Sequence, residues 1–129
     1  MKPQLAGLAS TLALSLAACT LPPTHAPGLM DVADHPAENA LQAGMRAHDD
    51  AQFPQAEQQL ALALECVRVS PCDQAAAHKH LAVIYCTSTR LSACEAEFRA
   101  ARAADLTFTL SKAEAGHPVW GPMYQRVQQ

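Results

Sequence analysis

Ala56-Glu57-Gln58-Gln59-Leu60-Ala61-Leu62-Ala63 and, further along the chain, Cys94-Glu95-Ala96-Glu97-Phe98-Arg99-Ala100-Ala101 put small and large apolar residues at the same steps. Positions 56, 60 and 63, like 94, 98 and 101, are spaced as one face of an α-helix. The correspondence extends outward at the same offset, with Gly44 on Ala82 and Phe53 on Leu91. A chain that repeats a small-large-small stripe in this way is built from paired helices, not from strands.

Working outward, the first helix runs from Ala37 to Asp50, with Leu41, Gly44, Met45 and His48 at three-four spacing and His35-Pro36 ahead of it. The second carries Ala56, Leu60, Ala63, Leu64 and Val67, with Pro54 suited to its first turn and Ser70-Pro71 as its stop. Asp73 is the expected cap of a third helix, whose buried stripe is Ala77, Leu81, Ile84 and Tyr85 and whose end falls near Cys86. Arg90 or Ser92 opens a fourth, which carries Cys94, Phe98, Ala101 and Asp105. The order resembles the tetratricopeptide repeat, a helix-turn-helix unit with small residues where its helices touch. The repeat here is slightly longer than that unit, and the additional residues fall between Cys66 and Cys72, at the link between repeats. Two departures stand: Ala40 occupies the place of the large early aromatic, and neither repeat carries the closing Pro. The expected fold is therefore all-α, two TPR-like stacked helical hairpins with a short C-terminal capping helical segment, and a plain four-helix bundle is the alternative.

Composition agrees with helix. The chain has 129 residues, 27 of them Ala, and only 5% aromatic, so strand-favouring residues are scarce. Its formal net charge of −3 offers no basic face to a phosphate backbone, and no Gly-rich phosphate loop opens a helix. Nucleic acid is excluded as the expected partner.

The N-terminus reads as an address. Lys2 is followed by an apolar run from Leu5 to Ala18 without an acid, a secretory signal pattern too short to span a bilayer. Leu16-Ala17-Ala18-Cys19 matches the bacterial lipobox, so residues 1–18 are expected to be removed and Cys19 to carry the lipid, with palmitate among its acyl chains. Cleavage leaves 111 of the 129 residues and, with Lys2 gone, a formal charge of −4. Multiple acyl chains at about 0.8 kcal/mol per buried methylene make such an anchor stable. Thr20, where inner-membrane retention is associated with Asp, implies by the lipoprotein resemblance an outer-membrane location on the periplasmic face. Residues 19–35, with Pro22, Pro23 and Pro27, read as a semi-extended tether of about 20–25 Å, and residues 36–129 as the helical domain.

With Cys19 assigned to lipid, Cys66, Cys72, Cys86 and Cys94 remain, an even number in an exported chain. The favoured pairs are Cys66 with Cys72 and Cys86 with Cys94, each worth about 2–2.5 kcal/mol in the chain-entropy account. The gaps of five and seven residues do not suit zinc, and no C-x-x-C or H-E-x-x-H is present. His78 and His80 read as solvated surface histidines. No metal, cofactor or small-molecule substrate is expected, and no nucleophile stands with a base and an orienter, so no catalytic residue is assigned.

Ser111-Lys112-Ala113-Glu114 is a capping box that starts a short helix ending at Gly116, and a last helical piece from Pro122 carries Met123, Tyr124 and Val127. Phe108, Leu110, Trp120 and Tyr124 are expected to plug the end of the stack; Trp120 and Tyr124 are also the candidate partner anchors. His48, His78, Lys79 and Ile84 are candidates for the groove. The lipobox, His78-Lys79-His80-Leu81-Ala82-Val83-Ile84-Tyr85-Cys86, Cys94 with Glu97-Phe98-Arg99, and Ala113-Glu114-Ala115-Gly116-His117-Pro118-Val119-Trp120-Gly121-Pro122 together resemble the small TPR-like lipoproteins associated with bacterial type VI secretion systems (TssQ-like). The resemblance spans nearly all of the mature chain. It implies a membrane-anchored scaffold whose partners are envelope or secretion-system proteins, with no catalytic residues to carry over. The alternative is a pilotin-like or pilus-biogenesis helical lipoprotein of another envelope machine.

Overall fold

The computed structural model describes residues 35–129, so the expected signal peptide, Cys19 and nearly all of the tether lie outside the described residues. Six helices follow in order: α1 Pro36–Asp49, α2 Phe53–Glu65, α3 Pro71–Thr87, α4 Leu91–Ala104, α5 Lys112–Ala115 and α6 Gly121–Val127. There is no strand among the described residues. The pairs α1 with α2 and α3 with α4 make the most extensive contacts, α3 also packs on α1 and α2, and α6 packs on α4 and α5. The fold is all-α, two stacked helical hairpins.

The two hairpin turns are copies of each other. Asp50, Ala51 and Gln52 donate their backbone N–H groups to the carbonyls of Arg46, His48 and Ala47; Ser88, Thr89 and Arg90 donate to Ile84, Cys86 and Tyr85. Every member of the second set stands at the offset that relates Ala56 to Cys94. Ala51 at φ 57° and Thr89 at φ 62° are the left-handed residues that reverse the chain. Neither is glycine, so each turn holds a conformation that L-residues disfavour, stabilised by the helix-end carbonyls it satisfies.

Equivalent positions also bury equivalently: Ala56 and Cys94, Leu60 and Phe98, and Ala63 and Ala101 are all at 0–1% exposure. Gly44 and Ala82 face these stripes from the first helix of each pair. A Cβ on Gly44 would lie 2.7 Å from Leu60 Cγ, so the packing of α1 on α2 leaves no room for a side chain there. Two core clusters result. One joins Leu41, Leu60, Leu81 and Ile84 across both hairpins; the other joins Cys86, Cys94 and Phe98 to Leu110, Met123 and Tyr124. Tyr85 packs against both clusters but is only half-buried.

Three expectations are corrected. The second helix ends at Glu65, and Val67, expected in its stripe, is fully exposed in the link. Ser70-Pro71 does not stop that helix but starts α3: Ser70 is the N-cap, accepting a hydrogen bond from the Asp73 N–H, and Pro71 occupies the first turn, where its missing N–H costs nothing. Met45 sits at the edge of the α1 stripe and is exposed.

The C-terminal segment covers the second hairpin. The Ser111–Glu114 capping box forms in full and starts α5. Gly121 opens α6 against the α5 end so tightly that a Cβ would lie 2.5 Å from the Ala115 carbonyl oxygen. Tyr124 packs edge-on to both Phe98 and Phe108, its hydroxyl accepting from the Leu110 N–H at 3.1 Å. Arg102 donates to the Val127 carbonyl at 2.6 Å, tying α4 to the end of α6.

Candidate functional site

The cysteines separate into two classes. Cys86 and Cys94 are joined in a disulfide that spans the second hairpin's turn. The expected Cys66–Cys72 pairing is not formed: both thiols are free. Cys66 follows the end of α2 with its S–H directed back to the Leu62 carbonyl at 3.5 Å, while Cys72 stands exposed in the first turn of α3. Because Ser70-Pro71 begins a helix, the two residues belong to the ends of different rigid elements and not to one flexible loop.

The candidate partner residues are distributed differently from the expectation. Ile84 is 1% exposed and Tyr124 is 5% exposed, so both are core residues and neither is an anchor or a groove residue. His78 is no solvated surface histidine: its Nδ1 lies 2.6 Å from Glu97 Oε2, joining α3 to α4. Lys79 donates to Glu114 Oε1 at 2.9 Å, joining α3 to α5. Burial works against ionised Glu114, but hydrogen bonds from Lys79 and Ser111 outweigh it and hold its pKa down at about 2. Trp120 is half-buried and lies face to face with His117, ring centroids 3.4 Å apart, with its Nε1 buried and unpartnered. His117 Nδ1 accepts from the Val119 N–H, so the His117–Pro118–Val119–Trp120 turn is closed on itself.

His48 and His80 meet where the hairpins join. Their ring centroids are 5.2 Å apart at 70°, and Phe53 closes on His48 at 5.9 Å. Burial, then the charges of Lys79 and His48, pull the His80 pKa down to about 4. The sequence reads His80 as solvated because its partner lies on another helix, at a separation that no helical period marks. Arg90, a candidate opener of the fourth helix, also pairs across elements, with Glu57 of the first hairpin, and lies over the Tyr85 ring at 4.3 Å. Inter-element pairs of this kind have no local signature.

A hollow lies elsewhere, between the start of α1 and the end of α2, lined in part by Pro36, Glu38, Glu65, Cys66 and Arg68. Its mixed charge and open shape converge no set of donors. No group of three or more His, Cys, Asp or Glu among the described residues could hold a metal ion. No helix among the described residues is long and apolar enough to cross a membrane. The arrangement is that of a small, internally cross-tied surface. Compared with known proteins, the chain matches no family model, no curated protein and no solved structure.

Proposed function

We propose that this chain is an outer-membrane lipoprotein, anchored through Cys19 on the periplasmic face, that serves as an accessory assembly scaffold of a type VI secretion system. The observation that carries the reading is Leu16-Ala17-Ala18-Cys19 behind an acid-free apolar run with Lys2 in front. The Cys86–Cys94 disulfide supports it, since such bonds persist in oxidising compartments. A body of two stacked helix pairs supports a binding role, because such stacks offer extended side-chain surfaces to other proteins. With Ile84 and Tyr124 in the core, a TPR-like partner surface draws on His48, Lys79 and the exposed part of Trp120.

Mass spectrometry of native material tests the anchor: the expected N-terminus is acylated Cys19, and Cys19→Ser releases the chain from membranes. An unacylated terminus ends the reading. Affinity capture of the full chain from a strain with such a secretion system tests the partner. Components of that system are expected; their absence, where a lipidated control protein recovers its own partner, overturns the assignment.

A further inference from the structure

Each hairpin has its own means of holding together, and they are unequal. The α3–α4 hairpin has a disulfide across its turn, the His78–Glu97 contact between its helices and the C-terminal segment over its core. Among the described residues the α1–α2 hairpin has neither disulfide nor cap, and it depends on α3 for the burial of its stripe. At that dependence sit the two imidazoles, His48 from α1 and His80 from α3, in edge contact at 5.2 Å with Phe53 beside them. An edge contact between neutral rings is attractive, whereas two imidazolium ions at that separation repel.

The charged groups around the pair relieve that repulsion only in part: Asp49 and Glu114 favour protonated His80, but burial, Lys79 and His48 outweigh them. From α1, Asp49 Oδ1 stands 3.5 Å from His48 Nδ1 and is set to answer His48. From α3, Lys79 adds a positive charge next to His80. From α5, Glu114 is engaged at both oxygens, Oε1 by Lys79 at 2.9 Å and Oε2 by the Ser111 N–H at 2.9 Å. Both carboxylates that favour protonated His80 are thus directed to other partners, Asp49 to His48 and Glu114 to Lys79 and Ser111. His78, on the same helix, is directed to Glu97 of α4.

We propose that the His48–His80 contact is an acid-sensitive joint: protonation of His80 against the His48 ring loosens the α1–α2 hairpin from α3 while the stapled and capped α3–α4 hairpin stays folded. The device is built into the stack and does not depend on which partner the protein binds.

Hydrogen exchange of the full chain at about pH 7.5 and about pH 5, corrected for intrinsic exchange rates, reads the two hairpins separately. Amides of residues 36–65 are expected to open about ten-fold more often at the lower pH, and those of residues 71–104 to change by less than about two-fold. In His80→Gln the response of residues 36–65 is expected to fall below about three-fold. Equal loss of protection in both hairpins, no response in the wild type, or a full response retained in His80→Gln each overturns the proposal. His48→Gln keeps α3 intact and supplies the second measurement: the NMR titration midpoint of the His80 ring rises if the two rings are coupled. An unchanged midpoint rejects the joint even if His80→Gln fails to fold.

Discussion

The two hairpins share one turn geometry and one pattern of burial, yet they are stabilised by different means. His48 and Ala56 of the first occupy the positions that Cys86 and Cys94 hold in the second, so the place of the disulfide in one is an imidazole and a methyl in the other. Leu60 stands where Phe98 stands, and Gly44 where Ala82 stands. Gly44 leaves room for Leu60 between α1 and α2; Phe98 fills a core that the C-terminal segment covers. Equivalent backbones are thus held by different contacts, because the side chains at four matched positions decide what each hairpin buries.

The largest expected effect that tests this comparison comes from truncating the matched core residues. Phe98→Ala should cost about 3–5 kcal/mol and Leu60→Ala about 2–5 kcal/mol in equilibrium unfolding. Phe98→Ala should in addition free the C-terminal segment, read as a change in Trp120 fluorescence, because Phe98 meets Tyr124 at 5.5 Å. A Leu60→Ala variant with the same fluorescence change would erase the distinction between the hairpins. Next, reduction of Cys86–Cys94 should cost about 2–3 kcal/mol, the loop-entropy value for a closure this short. Alkylation without reductant should label Cys66 and Cys72 and leave Cys86 and Cys94 unlabelled.

Gly44→Ala should destabilise by about 1–3 kcal/mol, because the added Cβ presses on Leu60, a side chain held on all sides. A neutral or stabilising result would mean that α1 can shift away from α2 and that the close approach is not required.

Acid should remove stability in two successive windows that overlap near pH 4 to 4.5. His80 has a folded-state pKa lowered from 6.5 to about 4, so its contribution is complete above 6.5 and is lost as the pH falls from there to about 4. Glu114 is lowered from 4.5 to about 2, so its contribution is complete above 4.5 and is lost on falling through that range to about 2. Glu114 is partly open to solvent, and screening keeps its share below about 1 kcal/mol. Thermal melts against pH should show Glu114→Gln flattening chiefly the lower window and His80→Gln flattening the upper.

Much of this fold was legible before any coordinates. Apolar spacing located all four long helices, and Ser111 with Glu114 marked α5, because both signals are local and act within one or two turns of backbone. The link from Cys66 to Pro71 misleads for a local reason too. Proline ends a preceding helix and opens a following one equally well, and only the Ser70 cap on the Asp73 N–H decides between them. The candidate site was less legible. Lys79, His78 and His80 each answer to a residue on another helix, and side-chain pairs so far apart in the chain leave no period to detect.

The sequence by itself determined the helical class and the repeat that relates the two hairpins, since each rests on neighbouring residues acting over a short range. Tertiary structure alone decided that Tyr124 and Ile84 are core, that Cys66 and Cys72 stay apart, and that His48 and His80 meet between the hairpins. Those outcomes depend on how rigid elements close on one another, and burial is a property of the assembled stack, not of any segment read alone.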